Sequence, residues 1–176
     1  MRNLTFFCCL GAFLLSGLAD AKLGSIGIDE LIDGSDAIVI ARVSQITSAK
    51  VPAHPSRSGN VVYADAIAQR TLKGSVSGKF RFLAQVDFIC EVTGAVKDED
   101  ALFFLRRDDD GSLAIMAFGH GRMPLRTVDG KLYVSPTSLI ILPKDVPTIA
   151  ALDPSSKVSV ELARVEKLIT VDRSTR

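Results

Sequence analysis

Beyond its first 21 residues the chain carries one cysteine, Cys90, and two histidines, His54 and His120. A thiolate activated by an imidazole is the one strong nucleophile these residues could build, because a neighbouring imidazole or cation must lower the thiol's pKa. Cys90 and His120 are therefore the candidate pair for a thiol-dependent, hydrolase-type enzyme, provided the fold brings them together. Cys90 lies within the apolar run VDFICEV, and the ordinary expectation for such a cysteine is burial. Once the first 21 residues, with Cys8 and Cys9, are lost, no disulfide can form within the chain, so Cys90 is a candidate free thiol.

His120 lies in AFGHGRMPLR, residues 117 to 126, between Gly119 and Gly121 and two residues before Arg122. As a zinc ligand it would need partners from Cys, His or carboxylate. Only His54 and Cys90 offer themselves, and no Cys-x-x-Cys or His-x-x-x-His spacing occurs. The plainer expectation is that the two glycines permit a bulge or a close approach of backbones, with His120 on the surface or capping the bend. His120 and Arg122 are the candidate ligand- or partner-binding residues.

Other patterns fail on spacing. GSVSG has Val76 at its centre rather than the serine of a nucleophile elbow. Asp108-Asp109-Asp110-Gly111 places three carboxylates side by side, whereas a calcium loop spaces them alternately and ends on a distant glutamate. It is expected to be a solvated hairpin turn. Arg106, Arg107, Arg122 and Arg126 could line an anion groove, but the chain has no tryptophan and a net charge of +1. Nucleic-acid binding needs a basic groove with stacking aromatics, so no nucleic-acid partner is expected. No catalytic set, no metal and no other cofactor is expected.

The first residues, MRNLTFFCCLGAFLLSGLADA, join a positive start, an apolar run from Leu4 to Leu18 and small residues at the exit. Those three parts describe a secretory signal peptide cut after Ala21. The apolar run is short of the roughly 20 residues a membrane-spanning helix needs, so no membrane anchor is expected. Export would leave a secreted or periplasmic domain, residues 22–176, whose partner would be another exported protein. Loss of Arg2 and Asp20 leaves the net charge at +1.

The elements that must position these side chains follow from periodicity. Ile28, Leu31 and Ile32 have helical spacing, and Gly34 ends a short helix. Residues 37–46 form a strand, continuously apolar from Ile38 to Ile40 as a strand covered on both faces is. Residues 48–60, with two prolines and small polar residues, read as a loop. Strands are expected over 61–72 and over KFRFLAQV, and residues 87–100 as a surface loop. ALFFLRR is a strand of the central kind, turned by DDDG into SLAIMAF, and Asp129-Gly130 makes a second tight hairpin. Val158, Leu162, Val165 and Leu168/Ile169 predict a C-terminal amphipathic helix capped by Ser155, Ser156 or Ser159. The sum is one mainly β domain of five to seven antiparallel strands, with the loops 48–60 and 87–100 as its contact surfaces.

The pieces DELIDGSDAIVIARVSQI, QRTLKGSVSGKFRF, ALFFLRR and FGHGRMPLRTVDGKLYV, in that order, resemble bacterial secreted proteins related to the N-terminal domain of tissue inhibitors of metalloproteinases and to the netrin module. That resemblance implies an OB-like barrel, five strands in a Greek key with an extra hairpin, a short N-terminal helix and a C-terminal helix. It also raises protease inhibition as an alternative function. The inhibitors of that family bind the protease's zinc through a free N-terminal cysteine. Here the expected first residue is Lys22, so no inhibitory residue carries over.

Overall fold

The computed structural model describes residues 24–54, 57–86 and 94–174. The expected signal peptide and Cys90 lie outside them. In chain order the strands are β1 (Ile26–Gly27), β2 (Ala37–His54), β3 (Arg57–Lys73), β4 (Lys79–Val86), β5 (Asp100–Arg107) and β6 (Leu113–Ile115). Then come β7 (Arg122–Val128), β8 (Lys131–Val134), β9 (Ile140–Ile141), β10 (Thr148–Ala150) and β11 (Val158–Glu161). Helix α1 spans Ile28–Gly34, and α2 spans Leu162–Ser174.

Five of these strands close on themselves in the order β2–β3–β4–β6–β5 and back to β2. Counted along the barrel strands alone, the neighbours run first, second, third, fifth, fourth, which is the OB Greek key. All its ladders are antiparallel except β4–β6, where Phe82 and Leu83 run parallel to Leu113 and Ala114. Beyond β5 the sheet continues through β7, β8, β11 and β10.

The alternation of side chains across a strand explains why β2 and β5 read as unbroken apolar runs. Ala37, Val39, Ala41 and Val43 of β2, with Ala101, Phe103 and Leu105 of β5, fill the barrel. Ile38, Ile40, Leu102 and Phe104 point the other way, into a second core covered by α1 and α2. The Phe82 and Phe103 rings meet in the barrel with centroids 5.0 Å apart. Each buried side chain of this size contributes about 1.5–3 kcal/mol. Register is also marked on the outside, where Arg81 donates from Nε and Nη2 to Asp65 at 2.7 and 2.9 Å across β3 and β4.

Three expectations change. Of the expected loop 48–60, the described residues 48–54 and 57–60 are strand: β2 and β3 stay paired from Ser48↔Val62 out to His54↔Arg57. Pro52, which has no N–H to donate, falls in the register shift between Val51 and His54, where such a residue costs no ladder bond. The strand after the DDDG turn holds only over Leu113–Ile115, although its antiparallel pairing with β5 and the left-handed Gly111 (φ 84°) are as the sequence predicts. The C-terminal helix starts at Leu162, because Val158–Glu161 pairs instead with β8 and β10. Its inward stripe of Leu162, Val165 and Ile169 is the expected one. Ser159 caps nothing; it is sealed in β11.

The Asp129-Gly130 hairpin forms as expected, with both residues left-handed (φ 48° and 74°) between β7 and β8. No helix among the described residues is long and apolar enough to cross a membrane.

Candidate functional site

The glycine pair around His120 lies where the barrel closes. Leu105 of β5 is opposite Ile115, and Phe103 is opposite Arg122. Strands β6 and β7 are thus one strand, running antiparallel to β5 and interrupted by the excursion Met116–Gly121 opposite Phe104. The neck of this outsized bulge is fully bonded. The Phe104 N–H donates to the Gly121 carbonyl at 2.8 Å, the Met116 N–H to the Phe104 carbonyl at 3.0 Å, and the Gly121 N–H to the Met116 carbonyl at 3.0 Å. On one side of the bulge β6 bends to β4 and shuts the barrel; on the other β7 departs to β8.

Three successive residues of the excursion, Ala117, Phe118 and Gly119, are left-handed with φ of 52°, 51° and 89°. That conformation costs a residue bearing a Cβ about 1–2 kcal/mol. The bonds at the neck and the divergence of the two strands hold it there. Gly121 is required for a different reason: a Cβ on it would lie 2.9 Å from the Phe104 carbonyl oxygen. Gly119 therefore serves the left-handed bend and Gly121 the close backbone approach, the two uses the sequence predicts.

His120 does not lie on the surface. It is buried, with Nδ1 2.8 Å from the Thr137 hydroxyl. Burial makes the protonated ring expensive and pushes its pKa below 6.5. Thr137 belongs to a polar seam that ties the bulge to the segment before α2. In it the Ser135 and Ser159 hydroxyls are 2.8 Å apart, the Leu152 N–H donates to Ser159 at 3.0 Å, and the Ser156 hydroxyl donates to the Pro136 carbonyl at 2.6 Å.

A hydroxyl within reach of an imidazole is the beginning of a nucleophile and its base. The remainder is missing among the described residues. The shift at His120 has burial as its cause and no carboxylate orienting the ring. Neither His120 nor Thr137 lines the cleft between β3 and β7 or the one beside α2. Nor does any group of three His, Cys, Asp or Glu side chains among the described residues lie together as metal ligands. The distance from His120 to Cys90 lies outside the described residues.

The low His120 pKa has a measurable consequence. The unfolded ring takes up its proton near 6.5, and the folded ring only at lower pH. Stability is therefore complete above pH 6.5 and falls as pH drops from there towards the folded pKa. Denaturant titrations between pH 8 and pH 5 are expected to show this loss, and His120→Asn to flatten the part due to this ring. A His120 NMR titration with its midpoint above 6.5 would contradict the assignment.

Arg122 is also buried. Its Nε donates to Glu99 Oε1 at 2.7 Å, and Nη2 donates to Oε2 of the same carboxylate. Glu99 also accepts the Val96 N–H at 2.7 Å, and its backbone bonds β2 through Val43 at 2.9 Å. This two-pronged pair fixes residues 96–99 against the barrel, where Ala95 packs on the interior core. Behind β7, Arg126 reaches Asp153 at 3.3 Å. Burial alone would raise the Asp153 pKa; hydrogen bonds from the Ser155 hydroxyl and N–H, with Arg126 and Arg122 nearby, outweigh it and hold the carboxyl below 3.8.

The structure thus places His120 in the bulge and Arg122 at the start of β7, and gives each an internal partner, Thr137 and Glu99. No buried side-chain nitrogen or oxygen among the described residues lacks a hydrogen-bond partner. Thr137, Glu99 and Asp153 carried no signal in the sequence, since nothing local ties them to the residues they hold. Compared with known proteins, the chain matches no family model, no curated protein and no solved structure.

Proposed function

We propose that the protein is an exported, non-catalytic binding module whose barrel carries a two-stranded ribbon as its contact element. The observation behind this is the pairing of β2 and β3. β2 pairs with β5 only as far as Arg42, and β3 pairs with β4 only from Val61 onward. Among the described residues, the ribbon beyond Ala49↔Val61 has no third strand on either edge. A ribbon whose edges are open among the described residues offers rows of N–H and C=O groups to an extended partner segment. It joins the first two barrel strands, a loop position that OB barrels use for ligands. The histidine and arginine that looked available in the sequence are by contrast committed inside the fold.

The test removes the ribbon and keeps the barrel. Residues 50–60 are replaced by Asn-Gly, the turn suited to a two-residue hairpin, joining the paired residues Ala49 and Val61. Wild-type protein is expected to capture a defined partner from periplasmic or medium fractions, and the shortened protein to fold with an unchanged barrel and lose it. Equal capture by both, or no enriched partner across several growth conditions, counts against the proposal.

A further inference from the structure

On the outer face of the barrel, away from the ribbon, lies an open cleft of about 300 Å³ between β3 and β7. Ile40 and Leu125 line it as buried apolar residues, and Leu132 forms an exposed apolar rim. Its polar lining is Gln69, Arg70, Asp100, Arg126 and Thr127.

Two features shape this cleft. The first is a bulge. Ile40 pairs with Arg70 but Ala41 pairs with Ala68, so Gln69 is an extra residue in β3. Neighbours on a regular strand face opposite sides; the bulge lets Gln69 and Arg70 both line the cleft. Gln69 then donates to Asp100 Oδ1 at 2.6 Å while Arg42 donates to Oδ2 at 2.9 Å, so each oxygen of the one carboxylate lining the cleft already accepts a hydrogen bond.

The second feature is the pair of arginines in the lining, each held by an acid that does not line the cleft: Arg70 by Glu166 and Arg126 by Asp153. An incoming molecule meets the N–H donors of Arg70 and Arg126, with Asp100 at the edge held by Gln69 and Arg42. A guanidinium has five such donors in a planar fork. Arg126 spends one on the Leu125 carbonyl and one on Asp153, which leaves others facing out.

We infer that this cleft binds a small organic carboxylate, its charged end between Arg70 and Arg126 and its apolar body on Ile40, Leu125 and Leu132. The volume suits a small molecule. The apolar floor distinguishes this ligand from a bare inorganic anion. The site is separate from the ribbon, so the two proposals fail independently.

Sodium hexanoate is the probe, followed by amide and methyl NMR shifts of the full domain at low salt. Saturable shifts centred on Ile40, Leu125, Thr127 and Leu132 are expected in the millimolar range. Acetate and inorganic phosphate are expected to bind more weakly, and hexylamine not to bind there. Arg70→Gln with Arg126→Gln should weaken hexanoate roughly tenfold or more, as loss of charge-assisted hydrogen bonds does. Should that double variant fail to fold, Leu132→Ala on the exposed rim takes its place. It should erase much of the advantage of hexanoate over acetate. Non-saturating shifts, shifts centred elsewhere, hexylamine or phosphate binding as tightly as hexanoate, or variants that bind like wild type would each overturn the inference.

Discussion

Replacing Arg122 with alanine is expected to cost about 3–5 kcal/mol of stability, the usual penalty for leaving one member of a buried ion pair behind. The reason is the position of Glu99. Its side chain is only 8% exposed, against 10% for Arg122, so water cannot take over when the guanidinium is gone. The loss should appear in urea or guanidinium unfolding as a shifted midpoint with an unchanged slope. Replacing both partners, Arg122→Met with Glu99→Leu, removes the stranded charge and should recover at least half of the loss. The recovery is incomplete because the Val96 N–H also loses its acceptor, Glu99 Oε1. A functional arginine held at a surface would behave differently: the single variant would change binding and leave stability near wild type.

Gly121→Ala is the second large effect, expected at about 2–4 kcal/mol for a Cβ forced against backbone in a packed site. The added carbon would stand 2.9 Å from the Phe104 carbonyl, 3.1 Å from the Met116 carbonyl and 3.2 Å from the Met116 Cβ. Two of these neighbours are carbonyl oxygens, and each already accepts an N–H at the neck, Phe104 O from Met116 and Met116 O from Gly121, so neither can swing aside. The strain acts at the point where β6 and β7 part, and both barrel closure and the start of the outer hairpin depend on it. Gly130→Ala is the control for conformation without crowding. Gly130 is left-handed, with φ 74°, but its missing Cβ would meet nothing within 4 Å, so only the backbone preference is lost, about 1–2 kcal/mol. Thermal or denaturant unfolding of the two variants should rank them in that order.

The fold was legible where local pattern and tertiary role agree. ALFFL is unbroken because one set of its side chains fills the barrel and the other set the α2 core. Asp-Gly and Asp-Asp-Asp-Gly turn where they do because left-handed backbone is needed between short antiparallel strands. The bulge at Gly119 and Gly121 could be anticipated from the same reasoning, though not its size.

The remainder depended on partners remote in sequence. SAKVPAH has poor strand propensity, yet its hydrogen bonds come from β3 regardless, and Pro52 sits where the ladder is already broken. Val158 fits a helical stripe with Leu162 and Val165. It also alternates with Val160, and pairing with Tyr133 and Val134 on β8 decides in favour of the strand. His120 read as a surface or capping residue because its partner, Thr137, is 17 positions away; Glu99 is 23 positions from Arg122. A polar residue in a sequence shows that it needs a partner, but its chemistry alone does not say whether that partner is solvent, ligand or the fold itself.

Amide hydrogen exchange at Phe104, Met116 and Gly121 bears most directly on whether this junction is a closed structural knot or a working site. These three N–H groups bond to one another's residues at the bulge neck. They are expected to exchange only through global unfolding, with the same free energy and denaturant dependence as the barrel strands. Exchange of all three through a shared local opening, far easier than global unfolding and independent of denaturant, would contradict it and return His120 and Arg122 to the surface as functional groups.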